Sequence, residues 1–240
     1  MMQCEHGNPA EKVWLIGNSE PTRWRQVLSV PLDSLHPARH NIWTSVLDVA
    51  QRHLFVNERA RFDDQKGLYV RNAVQDPDDR PRGNIREWPE NVSNVVQNLA
   101  RLLTAHRPVL VLTFGAFAYE FSLRAARVAG CSPDPLRDDR PHTKWTAKNL
   151  GAEFRAATAR FSPGVTNLLP LLHVSIARGR FMESHRDYCA AGGTGQSVAS
   201  KQLSPNYFEK VGATLAELLW RGRDSGVRFM TSNSLQDATS

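Results

Sequence analysis

Polar residues directly follow several short apolar runs of this sequence. They are the loop GNSEP at positions 17–21, Asn72 within the run LYVRNAV, and His173 at the end of the run LLPLLH. A carboxamide both donates and accepts hydrogen bonds, a carboxylate or carboxamide can position water, and an imidazole can bind an atom on which charge accumulates. These residue types therefore suit a hydrolytic reaction, provided that the fold brings them together.

The apolar runs themselves are predicted to be β-strands. They span residues 13–16, 68–74, 109–114 and 168–173. Helical patterns lie between or after them, at about 44–54, 92–103, 116–130 and 204–219. Thr44 and Ser204 can each supply an N-cap hydroxyl. This alternation predicts an α/β fold of three layers, α/β/α, with a central four-stranded, mainly parallel sheet.

The carboxyl edge of that sheet is where the polar residues should meet. In an open parallel sheet, ligands bind beyond the carboxyl ends of the strands, because the loops diverge there and helix N-termini present free N–H groups. The GNSEP loop, Asn72, Gly115 and His173 all lie at such strand ends. The pattern therefore predicts one composite site.

The chain is expected to form one domain. Its 240 residues are enough for one sizeable core, and no repeat of solenoid length is present. We expect the domain to cover residues 1–222, residues 223–240 to form a flexible C-terminal tail, and the protein to be a monomer. Segments rich in Pro, Gly and charge are predicted to be loops, at 76–86, 131–146 and 190–203.

Composition argues against several classes of protein. No apolar run approaches 18 residues and the first residues do not resemble a secretory signal, so we expect no membrane span and a cytoplasmic location. Cys4, Cys131 and Cys189 lie too far apart to form a zinc or iron–sulfur site alone, and no metal or organic cofactor is expected. The net charge of +6 favours a polyanionic partner, with a solvated basic face as the alternative.

The order of these parts resembles the uracil-DNA glycosylase superfamily. Members carry a Gly-x-x-Pro-type loop after the first strand, an aromatic residue that stacks on the base, an Asn on a central strand that reads the base, and a late motif built around His. The corresponding parts here are GNSEP, Trp43 in HNIWTSVLD, Asn72 in LYVRNAVQDP, and His173 in LLPLLHVSIARGRF. The stretch 88–120 is also similar to the family's helix, third strand and Gly-Ala turn. The resemblance covers about residues 13–219, and its strength is the order of the motifs.

The resemblance implies a catalytic group of three residues. Asn18 or Glu20 would position the water and offset positive charge on the deoxyribose, and His173 would hydrogen-bond a base oxygen as negative charge accumulates on the departing base. Each also has a purely structural explanation. Asn18 can be a turn residue that tolerates positive φ, Glu20 can stabilise the start of a following helix, and His173 can be a satisfied histidine at a strand end.

The resemblance also implies groups that bind the flipped nucleotide and the DNA. An Asn amide can read the Watson–Crick edge of a pyrimidine, an aromatic ring can stack on its face, and loop residues can fill the gap and grip phosphates. A core position for the tryptophan and a solvated surface for the arginines are the alternatives. The base-binding residues would be Gly17, Ser19, Trp43 and Asn72, and the DNA-binding residues Arg178, Arg180 and Phe181.

Two departures from the family pattern bear on the substrate. Glu20 directly precedes Pro21 in the first loop, and Val174 stands where the His motif of the family has proline. The polar and aromatic residues that follow, Thr22 to Trp24, would suit a larger polar base. Uracil and a bulky cytosine, such as glucosylated hydroxymethylcytosine in phage DNA, therefore both remain candidate substrates.

The function implied by the resemblance is a monofunctional DNA glycosylase that leaves an abasic site in DNA. No lysine lies in the GNSEP, Asn72 or His173 motifs, so they offer no amine nucleophile for a lyase step. Two other functions stay open: a catalytically inactive DNA-binding module of the same fold, and a hydrolase of free nucleosides or nucleotides. DNA repair and antiviral defence would both use base excision.

Overall fold

The computed structural model describes residues 5–19, 44–173, 182–190 and 207–230. Within these ranges the strands are β1 (Glu5–Gly7), β2 (Val13–Gly17), β3 (Leu68–Asn72), β4 (Leu110–Phe114) and β5 (Asn167–Leu171). The helices are α1 (Thr44–Glu58), α2 (Glu90–His106), α3 (Ala116–Val128), α4 (Ala147–Ala159), α5 (Met182–Cys189) and α6 (Tyr207–Arg221). No helix in these ranges combines the length and apolarity needed to cross a lipid bilayer.

The strands form one sheet in the order β1-β3-β2-β4-β5. The four strands from β3 to β5 run parallel, and β1 pairs with β3 antiparallel at the edge. The chain leaves β2 for β3 on one side and later returns to β4 on the other side. The connections from β2 and β4 therefore diverge, which makes the gap between their carboxyl ends the topological switch point where such sheets bind ligands.

Helices cover both faces of the sheet. The crossovers from β2 to β3 and from β3 to β4 run in opposite directions, and right-handed connections then put α1 and α2 on opposite faces. Helix α1 packs against α6, and α2 packs against α3. The fold is thus α/β around a mostly parallel sheet, and it is compatible with the predicted three layers.

The apolar runs form the middle of this fold. Every residue of β4 and β5 is buried, and β2 is buried up to Gly17, as expected for strands that are covered on both faces. Helix α2 buries an apolar stripe at the three- and four-residue spacing of one helix face: Val92, Val96, Leu99 and Leu103. The predicted strand positions are confirmed to within a few residues at each end.

The sheet has five strands, so the prediction of four was wrong. The missing strand is β1, whose sequence EHG contains no apolar pattern. Its register opposite β3 places Glu5 beside Arg71 and Gly7 beside Tyr69. β1 covers the edge of β3 that would otherwise be unpaired. The pairing of β1 depends on tertiary contact rather than on local sequence.

Helices α4 and α5 were not predicted either. The sequence of α5, MESHRDYC, is polar and has no apolar stripe, but the helix buries Tyr188 against α4. The two helices approach so closely that a Cβ on Gly151 would lie 2.0 Å from the carbonyl oxygen of Tyr188. Only glycine at position 151 allows this contact.

The packed structure continues beyond Gly222, into part of the segment expected to be a tail. Val227 is buried, and Phe229 forms a β-bridge with Phe62. Arg228 donates a hydrogen bond from Nε to the carboxylate of Glu11 over 2.8 Å. Residues 223–230 therefore lie against the domain.

Candidate active site at the carboxyl edge of the sheet

Three of the predicted residues end neighbouring strands or follow them. Gly17 pairs with Asn72 in the parallel register of β2 and β3, and β4 and β5 end together at Phe114 and Leu171. His173 follows β5 by two residues. Since neighbouring strands lie about 4.8 Å apart, the edge from β3 to β5 spans roughly 14 Å. Asn72, the start of the GNSEP loop and His173 are thus at one edge, on both sides of the switch point.

Gly17 and Asn72 are in direct contact. A Cβ added to Gly17 would lie only 2.2 Å from the Oδ1 atom of Asn72, so the carboxamide of Asn72 rests on the backbone of Gly17. The parallel pairing continues past the strands, because the N–H of Ala73 donates to the carbonyl of Gly17 over 2.8 Å. This contact holds a half-buried amide at a fixed position beside the GNSEP loop.

Asn18 bonds to the first turn of α3. Its Oδ1 accepts a hydrogen bond from the backbone N–H of Ala118 over 3.1 Å, across 100 residues of sequence. The residue at the N-cap of this helix is Gly115, which has no side chain to cap the helix. Asn18 therefore caps α3 from another strand and connects the two sides of the switch point.

His173 packs on the turn between β4 and α3. Gly115 has a φ of 93°, and a Cβ there would lie 2.9 Å from the Cβ of His173. Burial, and secondarily the positive charge of Arg80, lowers the pKa of His173 below that of an ordinary histidine. The half-buried ring is therefore neutral near pH 7, and a neutral imidazole can donate one hydrogen bond from one ring nitrogen and accept one at the other.

Arg80 is a residue of this edge that the sequence analysis treated only as part of a loop. It follows a short helical turn, Pro77–Asp79, whose start is capped by Asp76 accepting from the N–H of Asp78 over 2.8 Å. Its Nε donates to the carbonyl of Pro77 over 3.2 Å. The side chain is exposed, and its charge lowers the pKa of both His173 and His142. Arg80 thus adds a positive charge beside the candidate site.

His142 is the second residue that the sequence analysis missed. Its ring lies 5.5 Å from the ring of Phe117 in the first turn of α3, and its buried Nδ1 has no hydrogen-bond partner among the described residues. The surrounding loop is held by the buried carboxylate of Glu120, which accepts from the N–H of Arg140 and from Nε1 of Trp145. The only signal in the sequence was a histidine within a loop, which is too common to identify a site.

Five of the predicted site residues lie outside the described ranges. Ser19 is half-buried and follows Asn18 at the end of the first described range. No group of three or more His, Cys, Asp or Glu within the described part of the chain could hold a metal ion. The predicted residues outside the description are Glu20, Trp43, Arg178, Arg180 and Phe181.

No protein-family model matches this chain, and no curated protein matches it significantly.

The arrangement combines a carboxamide, a neutral imidazole and a cation around one edge. Asn72 can donate and accept hydrogen bonds, His173 can donate to a polar atom, and Arg80 favours negative charge nearby. The site thus suits a polar, planar ligand on which negative charge develops during the reaction.

Proposed function

We propose that this protein is a monofunctional DNA glycosylase. It flips a non-standard pyrimidine out of DNA and hydrolyses the N-glycosidic bond between that base and its deoxyribose. Water adds to C1′, the C1′–N1 bond breaks with its electron pair leaving on the base, the proton lost by the water neutralises the base anion, and an abasic site remains. The substrate is uracil or a bulky modified cytosine, such as glucosylated hydroxymethylcytosine.

One observation carries the proposal: Asn72, Gly17, Asn18 and His173 lie along one carboxyl edge, on both sides of the switch point, and two glycines there pack against polar side chains. A common edge is expected of any strand-end residues in a parallel sheet. The contacts of Gly17 with Asn72 and of Gly115 with His173 are what hold these polar groups at the edge. Asn18, Asn72 and His173 belong to the motifs that resemble those of uracil-DNA glycosylases, and a composite base-binding site requires such polar groups.

The residues divide the reaction between them. Asn72 reads the Watson–Crick edge of the base, because its amide offers both a donor and an acceptor. His173, kept neutral by burial, donates to a base oxygen, and that hydrogen bond strengthens as the base becomes an anion. The positive charge of Arg80 favours the same anion. Asn18 or Glu20 positions the water; the hydrogen bond from Ala118 fixes Oδ1 of Asn18, which keeps a second lone pair for this role.

The first experiment is free-base release measured by mass spectrometry. The DNA panel contains uracil, other deaminated bases, 5-hydroxymethylcytosine and its glucosylated form. Release of one base, with strand breakage only after alkali, is the expected result. His173→Gln should reduce the single-turnover rate about 100-fold, the usual effect of removing one donor to a developing anion. Glu20→Gln should reduce it as well if Glu20 positions the water.

Matched controls separate chemistry from folding. His106→Gln changes a histidine at the end of α2, at the opposite edge of the sheet, and should leave the rate unchanged. Tight, salt-sensitive binding to DNA without release of any base would instead support an inactive binding module. Release of bases from free nucleosides without binding to DNA would support the small-molecule hydrolase.

A further inference from the structure

A cavity of about 430 Å³ lies beside Asn72, at the β1 end of the carboxyl edge. Its volume falls within the range of sites that bind small organic groups. The walls come from β1, from the end of β3 with the residues that follow it, and from helix α2. The lining residues are Glu5, Arg71, Asn72, Ala73, Val74, Gln75, Asp79, Asn91, Val92, Val95 and Asn98.

Carboxamides dominate the polar part of this lining, at Asn72, Gln75, Asn91 and Asn98. The positions 91, 95 and 98 lie on one face of α2, because residues four and three apart are neighbours on a helix. Asn98 is half-buried on that face, which flanks the apolar stripe of the helix. The cavity is therefore lined by four carboxamides, each of which can donate and accept hydrogen bonds.

A buried charge forms part of the wall. Arg71 is only 2% exposed, and its Nη1 lies 3.3 Å from Oε1 of Glu5, without the geometry of a hydrogen bond. Burying such a pair costs more than burying apolar residues of similar size. The exposed carboxylate of Asp79 accepts from Nδ2 of Asn91 over 3.2 Å, which fixes the loop after β3 to α2. This hydrogen bond thus links two walls of the cavity.

The charges of the lining argue against an anion as the ligand. One guanidinium, of Arg71, faces two carboxylates, of Glu5 and Asp79, so the wall carries a net negative charge. A neutral ring with hydrogen-bonding edges fits this lining, since carboxamides pair with adenine and carboxylates accept from the amino group of cytosine. Asn72 belongs to the cavity and also contacts Gly17, so the cavity adjoins the proposed base site.

We propose that this cavity receives a second nucleobase, that of a nucleotide adjacent to the flipped one. The inference rests on the proposed function, because it assumes that DNA occupies the carboxyl edge. The preferred neighbour is a base that carries an exocyclic amino group opposite the carboxamides and carboxylates, namely adenine, cytosine or guanine, and thymine is disfavoured. Base excision therefore depends on the sequence that flanks the target.

The test measures single-turnover excision from duplexes that share one target base and differ in the nucleotide on either side. Adenine, cytosine or guanine at one flank should give a rate about tenfold above that with thymine, the discrimination expected from one good pair of hydrogen bonds. Asn98→Ala and Gln75→Ala should each reduce this ratio toward one. Asn94→Ala, an exposed residue of the same helix outside the cavity, should keep it.

Binding supplies a readout that does not need catalysis. Duplexes with a tetrahydrofuran abasic analogue at the target position, flanked by each of the four bases, should show the same preference in their dissociation constants. Excision or binding that is indifferent to the flanks, or a preference that survives in both cavity variants, would overturn the inference. Absence of excision together with a flank preference in binding would overturn the proposed function and leave the cavity assignment standing.

Discussion

Two glycines allow the polar side chains of the candidate site to reach their positions. Gly17 leaves room for the carboxamide of Asn72, and Gly115 takes a positive φ and leaves room for His173. In both cases an ordinary side chain would occupy space that a polar group already fills. The geometry of the candidate site therefore depends as much on residues that have no side chain as on those with polar side chains.

Replacing Gly17 with alanine tests this relation. A Cβ 2.2 Å from Oδ1 of Asn72 must displace the carboxamide, so Gly17→Ala should reduce the rate of base release at least about tenfold, the cost of a misplaced site group. The control is Gly164→Ala, at a glycine where the nearest atom to an added Cβ is Oγ of Ser162 at 4.0 Å. Equal rates in the two variants would contradict a role for the Gly17–Asn72 contact.

The two histidines near Arg80 predict how stability depends on pH. Burial, then the charges of Arg80 and Arg124, lowers the pKa of His142, so the unfolded protein binds protons on this residue more readily than the folded protein. The folded state is therefore favoured above about pH 6.5, the ordinary pKa of histidine, and loses stability as the pH falls below it. His173 acts in the same direction.

Thermal unfolding between pH 7.5 and pH 5 checks this prediction. The melting temperature should fall as the pH decreases, and His142→Asn should make the fall shallower because one titrating group is removed. His6→Asn, at the strand β1, serves as the control. A melting curve whose pH dependence is the same in wild type and His142→Asn would show that His142 does not titrate as described.

At the scale of elements, helix α3 connects most of the site. Asn18 caps its first turn, Phe117 contacts His142, and Glu120 holds the loop 131–146 through Arg140 and Trp145. The helix is almost entirely buried from Phe117 to Ala126. A change in its position would therefore move both His142 and the turn on which His173 packs.

The cap on α3 can be separated from catalysis by two substitutions. Asn18→Ala removes the acceptor for the N–H of Ala118 and should cost about 1 kcal/mol of stability in urea unfolding. Asn18→Asp keeps an oxygen acceptor at the same place and should keep that stability. If Asn18→Asp also retains base release, Asn18 is a positioning residue; if it loses release while remaining stable, its amide takes part in the reaction.

The buried carboxylate of Glu120 should be the costliest polar group of α3 to remove. Glu120 and Arg124 form a buried ion pair with an Nε–Oε1 distance of 3.0 Å. Glu120→Ala leaves the charge of Arg124 buried without this partner and should cost about 3 kcal/mol. Glu217→Ala breaks the exposed pair with Arg221 and should cost about 0.5 kcal/mol or less. Similar losses in urea unfolding would contradict the structural role of Glu120.

At the scale of the whole molecule, the first and the last described segments both pack against the domain. Strand β1 protects β3, and residues 227–230 pack over α6 and the segment that precedes β3. Phe229 contacts Trp220 with ring centroids 5.4 Å apart, and Met230 donates its N–H to the carbonyl of Arg61 over 2.9 Å. The C-terminal segment therefore contributes to the domain.

Truncation measures that contribution. Ending the chain after Gly222 removes the buried Val227 and the contacts of Phe229, and it should cost about 2 kcal/mol of burial, or roughly 4–8 °C in melting temperature. The control is a chain that ends after Met230, which keeps these contacts and lacks only the last ten residues. An unchanged melting temperature after the first truncation would show that residues 223–230 act only as a tail.

Local patterns determined the middle of the fold and the list of candidate residues. Apolar runs and helical stripes predicted four strands and most of the helices that cover them, because burial on both faces or on one face imposes its period on the sequence. The polar residues at strand ends predicted that the candidate site lies at the carboxyl edge of the sheet, because parallel strands share their carboxyl ends. The polar elements β1 and α5 were not predicted, because tertiary contacts stabilise them without an apolar pattern in the sequence.

The sequence by itself thus determined the α/β class, the positions of the parallel strands, and the presence of Asn18, Asn72 and His173 at their ends. Only the tertiary structure decided which groups meet there. The hydrogen bond of Asn18 to Ala118 spans 100 residues, and Arg80, His142 and the cavity beside Asn72 depend on how loops and α2 pack against the sheet. Periodicity reports whether a residue is buried, whereas the partner of a polar group depends on strand order and helix packing, which local sequence does not encode.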